Sequence, residues 1–409
     1  MKTAHIVCIG CSEARMDCAQ LQRFLELNGL TVEDDPGRVD LVILFTCGLT
    51  ERDAQVSLEV LKELKSRKRP DAQFLVWGCL PKIDPRLIAE AHDGPSLGRR
   101  EIRKLEEMIG AKVKYDDVQC AVNHLFPAVS REIRAKYDPL TYMIEELNRR
   151  IWTAHAYTDD VFYLLIGKGC LGNCSYCSDL HSCGRLQSKP IERVVAEFKQ
   201  GLERGFKRFF LVSTDEGAYG RDLRYNLSDL LTQLTDEDGD YQLMLPQVEP
   251  HYLKEMTGDL AKPIGSGKIG LLGVSAQSGS NRILKAMGRK YTVEELEESI
   301  TAMRKEFPKL LFSTQLMVGF PGETEEDFDA TMTLLDEVAF DYVQVFRFSR
   351  RPTTRASYFA NQVPESVSIN RHRRLLVKAI YKQLSRKIET ASCEVPSLQS
   401  EESRILSQL

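Results

Sequence analysis

From residue 161 the sequence reads VFYLLIGKGCLGNCSYC, an apolar stretch of strand type that runs directly into three closely spaced cysteines. These are Cys170, Cys174 and Cys177, and the glycines around them let the backbone wrap closely round a bound group. Thiolates this close together suit an iron–sulfur cluster, and three of them leave one iron of a cubane cluster open to another ligand. Zinc is the competing interpretation, with His181 and Cys183 as further ligands, although no Cys or His pair has zinc-ribbon spacing.

Strand and helix signals alternate onward from this loop. The strand candidates are Phe162–Ile166, Arg208–Val212, Tyr241–Leu245, Ile269–Val274, Leu311–Val318 and Tyr342–Phe348. The helical stretches between them include Ile191–Arg204, Leu227–Leu234, Val293–Phe307 and Glu325–Val338. Six strand–helix units in about 200 residues predict a partial (β/α)6 barrel of TIM type, whose chemistry lies at the carboxyl ends of the strands.

The first 115 or so residues alternate in the same way and predict a Rossmann-like domain, a parallel sheet with helices on its faces. Its strand candidates are His5–Ile9, Val39–Phe45 and Phe74–Trp77, and its helix candidates are Asp17–Asn28, Thr50–Arg67 and Pro85–Ala91. A cysteine follows each strand, in IVCIGC, ILFTC and LVWGC: Cys11, Cys47 and Cys79. Because parallel strands share a carboxyl edge at which ligands bind, we expect these cysteines to converge. Cys8 and Cys18 lie close enough in sequence to be rival ligands.

Composition limits the class of protein. The chain has 409 residues and a formal charge of −4, which argues against strong non-specific attraction of the whole chain to nucleic acid. No apolar run approaches the roughly 18 residues needed to span a bilayer. The N-terminus turns polar too early for a signal peptide, so we expect a cytoplasmic protein with no membrane partner. Eleven cysteines in a reducing compartment favour metal or redox chemistry over disulfides, whereas Cys120 and Cys393, isolated in polar surroundings, are expected to be simple thiols.

The chain resembles radical S-adenosylmethionine (SAM) methylthiotransferases over nearly its whole length. IGC, FTC and WGC match the three N-terminal cluster cysteines of that family, and GKGCLGNCSYC matches its radical SAM motif. LVSTDEGAYG, SAQSGSNRILKAMGRKYT, MVGFPGETEEDF and FRFSRRPTTRASYFANQVP follow in the family's order. LVSTDEGAYG is more similar to the branch that modifies a ribosomal protein than to the branch that modifies tRNA.

The resemblance implies two [4Fe–4S] clusters and SAM as cofactors. Two sets of cysteines would hold the clusters: the SAM-binding cluster on Cys170, Cys174 and Cys177, and an auxiliary cluster, carrying sulfide or methylsulfide, on Cys11, Cys47 and Cys79. Reduction of the SAM-binding cluster would cleave SAM to a 5′-deoxyadenosyl radical. A reductant such as flavodoxin or ferredoxin is therefore an expected partner.

Polar residues at strand ends within these blocks are the predicted SAM contacts. They are Ser213, Asp215, Gln277, Ser278, Ser280 and Arg289. Those that follow strands suit the amino group, ribose or carboxylate of SAM, and Arg289 would meet a carboxylate by charge-assisted hydrogen bonding. Helix capping or turn formation is the alternative for each polar residue.

Four segments are predicted. Residues 1–125 form the N-terminal domain with the auxiliary cluster, 126–155 a connector, 156–362 the radical SAM barrel, and 363–409 a basic helix with a polar tail. Family members usually close with a small β-barrel called TRAM, and the last segment has no run of short strands, so we expect TRAM to be absent. The basic helix is expected to pack on the barrel through one apolar face: Leu375, Leu376, Ala379, Ile380 and Leu384.

The expected reaction forms a C–S bond, most simply by methylthiolation of an unactivated C–H of a peptide or small-molecule acceptor in a biosynthetic pathway. Nucleic acid is a less favoured acceptor, because the net charge is negative and the usual RNA-holding barrel is expected to be missing. The alternatives are a ribosomal-protein or tRNA methylthiotransferase, a sulfur-inserting enzyme that does not methylate the sulfur, and a cluster-bearing scaffold without activity.

Overall fold

Two parallel sheets, each flanked by helices, make up the computed structural model of the chain, which describes residues 1–118, 125–127, 139–156 and 161–390. The predicted α/β class, with a Rossmann-like sheet followed by a second parallel sheet, is confirmed. Cys120 and Cys393, expected to be simple thiols, lie outside the described residues. No helix in the described ranges is long and apolar enough to cross a membrane.

The first sheet has the strand order β2-β1-β3-β4-β5, and every neighbouring pair is parallel. Its strands are β1 (Thr3–Cys8), β2 (Thr31–Val32), β3 (Leu41–Thr46), β4 (Gln73–Gly78) and β5 (Ser96–Gly98). Its helices are α1 (Ser12–Leu27), α2 (Glu51–Arg67), α3 (Leu80–Ile83), α4 (Pro85–Ala91) and α5 (Ile102–Ile109). The central strand β3, LVILFT, is buried along its whole length, as expected for a strand covered by helices on both faces.

Helix α1 begins five residues earlier than the sequence predicts, at Ser12 rather than Asp17. The added turn contains Glu13. Glu13 and Asp17 are both buried, and each pairs with Arg99, so the acidic side chains point inward instead of to solvent. Further along the same helix, Met16 packs against the inner face of the second sheet and joins the two domains.

The second sheet has the order β13-β12-β11-β10-β9-β6, again parallel throughout. Its strands are β6 (Val161–Leu165), β9 (Arg208–Val212), β10 (Gln242–Val248), β11 (Ile269–Val274), β12 (Leu311–Val318) and β13 (Tyr342–Arg347). The connecting helices are α8 (Ile191–Glu203), α9 (Leu227–Asp236), α10 (Pro250–Glu255), α11 (Thr257–Gly265), α12 (Asn281–Met287), α13 (Val293–Glu306) and α14 (Glu325–Glu337). All six strands match the six sequence candidates, whereas the sequence analysis did not name the short helices α10, α11 and α12.

A two-stranded antiparallel ribbon closes the loop that follows β6. Its strands are β7 (Gly167–Lys168) and β8 (Gln187–Ser188), and Gly167 lies opposite Ser188. The loop between them contains the short helix α7 (Asp179–Ser182) and four cysteines. The ribbon thus draws both ends of the cysteine loop to one point beside the first strand of the barrel. We call residues 169–186 the cysteine loop.

The helix α6 (Pro139–Ala156) and the basic helix α15 (Glu365–Thr390) pack together against the barrel. Leu375, Leu376 and Ala379 belong to the barrel's hydrophobic core, so the expected packing of this helix is confirmed. Leu384, which was expected on the same face, is 37% exposed instead. The predicted polar tail from residue 391 onward lies outside the described residues.

Candidate functional site

The three cysteines of the N-terminal domain follow three adjacent strands of the first sheet. In the parallel register Cys8 pairs with Phe45, and Thr46 with Gly78, so β1, β3 and β4 end at one edge. Beyond that edge Cys11 and Cys79 each precede the first turn of a helix, α1 and α3. Because the three strands end at this edge, Cys11, Cys47 and Cys79 converge as expected, and all three line one cavity.

Local packing fixes two of these cysteines in place. The backbone N–H of Cys47 donates to the Ser57 hydroxyl at 3.1 Å, and the oxygen of that hydroxyl lies 3.1 Å from the Cys47 carbonyl. Gly78, directly before Cys79, has a φ of 125°, and a Cβ there would lie 2.5 Å from the Thr46 carbonyl oxygen. Only glycine allows the chain to pass this close to the neighbouring strand.

The cavity between the two domains has a volume of about 740 Å³. The first sheet's edge forms one side of it, and the inner face of the barrel sheet, with Ser313, Gln315 and Phe346, forms the other. Arg99 and Cys183 also line it. Pockets of roughly 300–1,000 Å³ hold small-molecule ligands, so this cavity is large enough for a reactive centre together with part of an acceptor.

The cysteine loop has the features of a cluster-binding loop. The backbone N–H of Gly172 donates to Cys170 Sγ at 3.0 Å, and that of Asp179 lies 3.4 Å from Cys177 Sγ. Such N–H···S bonds orient sulfur ligands and stabilise their negative charge. A Cβ at Gly172 would stand 3.1 Å from Cys170 Sγ and 3.8 Å from Cys174 Sγ. The residues present therefore fit a group cradled by Cys170, Cys174 and Cys177.

The zinc alternative gains no support from the geometry. Within the described ranges, no three His, Cys, Asp or Glu side chains are grouped closely enough to hold a single metal ion. Cys183, one of the extra ligands considered for zinc, instead accepts a hydrogen bond from Arg99 of the N-terminal domain and lines the same cavity as Cys79. Cys8 and Cys18, the rival ligands, are both buried within the hydrophobic core of that domain.

Asp215 and Ser213 lie beside the cysteine loop, at the end of β9. Asp215 Oδ2 is 4.0 Å from Cys170 Sγ, and its Oδ1 accepts from the N–H of Gly217 at 3.1 Å. Burial and the nearby charge of Glu249 raise the pKa of Asp215 to about 7. The hydroxyl of Ser213 lies 3.4 Å from the Asp215 carbonyl, so it stabilises the turn that carries the carboxyl group.

Arg289 is buried next to the same loop. It forms an ion pair with Glu249 at 3.0 Å and donates to the Tyr176 hydroxyl at 2.6 Å. Desolvation works against ionisation of Glu249, yet contact with His251 and the charge of Arg289 lower its pKa to about 2. The sequence analysis missed Glu249, which directly follows β10 as the other polar candidates follow their strands. Arg289 thus has a carboxylate partner within the protein itself.

Gln277 is held in an unusual conformation after β11. Its φ is 62°, a left-handed value that a glutamine adopts at a cost of about 1–3 kcal/mol. The side chain is only 5% exposed, and its Oε1 has no hydrogen-bond partner among the described residues. A buried acceptor without a partner is expensive unless a ligand supplies a donor. This feature fits a hydroxyl or amino group of SAM.

Ser278 and Ser280 have structural partners in the same turn. Ser280 caps α12 through the N–H of Ile283 and donates to Asp327 at 2.6 Å. The Ser278 hydroxyl lies 3.4 Å from that of Thr331 and accepts from the N–H of Ser280 at 3.1 Å. These contacts match the capping alternative, and a contact of either serine with SAM stays a prediction.

A buried ionic network, which the sequence did not predict, joins the two domains. Arg99 pairs with Glu13 at 2.9 Å and with Asp17 at 2.7 Å. From the barrel side, Lys168 pairs with Asp17 at 2.8 Å, and Thr214 donates to Glu13 at 3.1 Å. Although burial opposes ionisation of Asp17, the charges of Arg99 and Lys168 hold its pKa below the usual value. The network sets the first sheet's edge against the cysteine loop.

Two family models match the chain. Residues 164–335 match the radical SAM superfamily, and residues 3–96 match the uncharacterized protein family UPF0004. These two matches correspond to the barrel with the cysteine loop and to the domain with Cys11, Cys47 and Cys79.

Several known proteins are similar over most of their length. A tRNA-2-methylthio-N(6)-dimethylallyladenosine synthase of Aquifex aeolicus is 30% identical, over 96% of this chain and 87% of the relative. A ribosomal protein uS12 methylthiotransferase of Clostridium novyi is 29% identical, over 95% of this chain and 84% of the relative. Among solved structures, the radical SAM methyltransferase TsrM of Kitasatospora setae superposes with a TM-score of 0.59, over 87% of this chain and 75% of its own. The two sequences are 14% identical, so the match shows a similar fold.

Proposed function

The chain belongs to the radical SAM methylthiotransferase family of sulfur-transferring enzymes, and on that premise we propose that it adds a methylthio group to an unactivated C–H of a peptide or small-molecule acceptor. One observation carries the proposal: the three cysteines at the edge of the first sheet face the barrel across a single cavity, beside the cysteine loop. A sulfur source and a radical source held there would meet over the same acceptor.

The residues divide by the group that each would hold. Cys170, Cys174 and Cys177 would bind the SAM-binding cluster, and Cys11, Cys47 and Cys79 the auxiliary cluster. When bound, these cofactors supply the electron, the hydrogen-abstracting radical, the methyl group and the sulfur. We also propose the segment boundaries 1–125, 126–155, 156–362 and 363–409 as the domain division.

Gln277, Asp215 and Arg289 would orient SAM at the strand ends. Gln277 offers an unpartnered buried acceptor, and Asp215 stands next to the Cys170 sulfur. Arg289 and Glu249 form an ion pair. Arg289 would offer a positive charge to the carboxylate of SAM, and Glu249 would offer a negative charge to its amino group. The network of Arg99, described above, would keep the two cysteine sets at a fixed separation by clamping the domains.

The charges of the basic helix α15 favour a peptide or small molecule over RNA. Its cations pair with barrel carboxylates: Arg371 with Glu323 and Glu325, Arg374 with Glu325, Lys378 and Lys382 with Asp336, and Arg386 with Asp341. Cations already paired in this way contribute little to binding phosphate. Phosphate contacts supply much of the affinity for RNA, so a chain of net charge −4 has little broad attraction to it.

The relatives named above give weight to a second candidate, a macromolecular acceptor. The Aquifex aeolicus relative is named for a modified tRNA nucleoside, and the Clostridium novyi relative for ribosomal protein uS12. If this chain acted on a tRNA or on a ribosomal protein, it would need a binding surface other than α15, because the cations of that helix are already paired.

Mass spectrometry after anaerobic reconstitution tests the reaction. The enzyme would receive SAM, a flavodoxin or ferredoxin reductant and sulfide. Methylated sulfide together with 5′-deoxyadenosine is the expected result. Deoxyadenosine without methylated sulfide would instead indicate sulfur insertion without methylation, and neither product would indicate a scaffold.

Binding to bulk tRNA and to ribosomes at several salt concentrations tests the acceptor. We expect weak association in both cases, with no steep dependence on salt. Tight binding that falls steeply as salt rises would contradict the proposal and favour the RNA alternative. Truncation of α15 is unsuitable as a control, because Leu375 and Leu376 are buried in the barrel core. Salt dependence of the intact chain avoids that difficulty.

A further inference from the structure

The cysteine loop contains a fourth cysteine, which is not one of the three proposed ligands of the SAM-binding cluster. Cys183 follows α7 directly, six residues after Cys177, and is only 5% exposed. Its neighbour Ser182 places a hydroxyl 3.5 Å from the Cys183 sulfur. The ribbon of β7 and β8 fixes the loop just beyond it, so its position is set by the fold.

The Cys183 side chain points across the domain boundary, toward the auxiliary cysteines. Arg99, on the N-terminal domain, donates to Cys183 Sγ from Nη1 at 2.9 Å. Cys11, Cys47, Cys79 and Cys183 all line the same cavity. The edge of the first sheet therefore has four thiols around it, of which the barrel contributes one.

We propose that Cys183 is the fourth protein ligand of the auxiliary cluster and closes the iron that Cys11, Cys47 and Cys79 leave open. The inference rests on the proposed function, which assigns those three cysteines to a cluster. A cubane cluster takes four thiolates when the protein closes it completely. Cys183 would bind as a thiolate and release its proton to solvent, as metal-ligating cysteines do.

The surroundings of Cys183 suit an additional anionic ligand. Arg99 is buried and held by Glu13 and Asp17, so its guanidinium stays beside the sulfur and compensates for the added negative charge. An Fe–S bond from Cys183 would tie the cysteine loop to the N-terminal domain. An incoming sulfide or methylthiolate would then have to displace Cys183 before it reached the iron.

Binding of an exogenous selenolate tests this displacement. The parent protein is the full chain with Cys170, Cys174 and Cys177 replaced by Ala, so that only the auxiliary cluster is loaded. Into it are introduced Cys183→Ala, Cys183→Ser and, as a matched control in the same loop, Ser182→Ala. Each reduced protein is titrated with ⁷⁷Se-labelled methaneselenolate, and bound selenium is detected through its hyperfine coupling in electron paramagnetic resonance.

We expect Cys183→Ala to keep about four irons per chain and to bind selenolate at least about tenfold more tightly than the parent. Ser182→Ala should behave like the parent. Loss of iron from Cys183→Ala, with iron retained in Cys183→Ser and Ser182→Ala, would also support ligation, because an oxygen ligand then replaces the sulfur.

Equal selenolate binding in the parent and in Cys183→Ala would overturn the proposal. A Cys79–Cys183 disulfide in the iron-loaded parent, found by mass spectrometry, would overturn it as well, because neither sulfur would then be a ligand. A parent that holds no iron would instead refute the auxiliary cluster itself. Failure of this inference and failure of the proposed function are therefore distinguishable.

Discussion

Replacing Arg99 by Met should destabilise the N-terminal domain severely. The Arg99 side chain is 6% exposed and pairs with two buried carboxylates, Glu13 at 2.9 Å and Asp17 at 2.7 Å. Methionine preserves most of the apolar volume, but both carboxylates stay buried and lose the guanidinium with which they pair. Removing one partner of a buried ion pair costs about 3–5 kcal/mol. With a urea m value of about 1–3 kcal/mol/M, the midpoint should fall by about 1–5 M.

Trp77 fluorescence provides the assay. Trp77 is buried in the core of the first sheet, and the chain has one other tryptophan, Trp152, which is replaced by Phe throughout. Urea unfolding of the cluster-free protein under reducing conditions then reports on the N-terminal domain. The matched control is Arg103→Met on α5, an exposed arginine four residues away, which should change stability by less than about 0.5 kcal/mol.

Equal midpoints for Arg99→Met and Arg103→Met would refute the reasoning, since the buried network would then contribute nothing. Arg99→Lys should fall between the parent and Arg99→Met, because one ammonium cannot reproduce the planar geometry with which a guanidinium meets two carboxylates.

Three further outcomes follow from the barrel. Desolvation raises the pKa of Asp327, but hydrogen bonds from Arg282, Ser280 and Thr324 outweigh it and lower the pKa to about 2. The contribution of Asp327 to stability is therefore present above about pH 4 and lost as pH falls from about 4 to 2. Asp327→Asn should therefore lose about 1 kcal/mol at pH 7, after allowance for solvent screening, and the difference should vanish near pH 2 in urea titrations. Gly172→Ala should reduce iron bound by the cysteine loop, because the new Cβ would stand only 3.1 Å from Cys170 Sγ, whereas Gly258→Ala, into open space, should not. Gln277→Leu should weaken SAM binding about tenfold in equilibrium dialysis without changing iron content, and unchanged binding would show that its unpartnered oxygen does not meet SAM.

The parts of the site that follow from strand ends could be predicted from the sequence. β3 is a continuous apolar run, and a parallel sheet brings the carboxyl ends of its strands to one edge, so Cys11, Cys47 and Cys79 could be placed together. The same reasoning placed Asp215 beside the cysteine loop. Both cases need only local periodicity and the geometry of parallel strands.

The parts that depend on tertiary pairing could not be predicted. Arg99 and Glu13 are 86 residues apart, and nothing in their local sequence marks either as buried. Cys183 is near the triplet in sequence, whereas the fold places it against Arg99 of the other domain, in the cavity that Cys79 also lines. Ser280 looks like a ligand contact by position, yet it caps a helix of only seven residues, too short for its periodicity to stand out.

Iron content and SAM cleavage after Cys11, Cys47 and Cys79 are replaced together by Ala test the central claim most directly. The reconstituted parent should hold about eight irons per chain and the triple variant about four, one cubane cluster fewer. The variant should still cleave SAM to 5′-deoxyadenosine under reduction, because Cys170, Cys174 and Cys177 are intact, but should form no C–S product. A variant that keeps its full iron, or that still forms the sulfur-containing product, would contradict the assignment of two clusters to two domains.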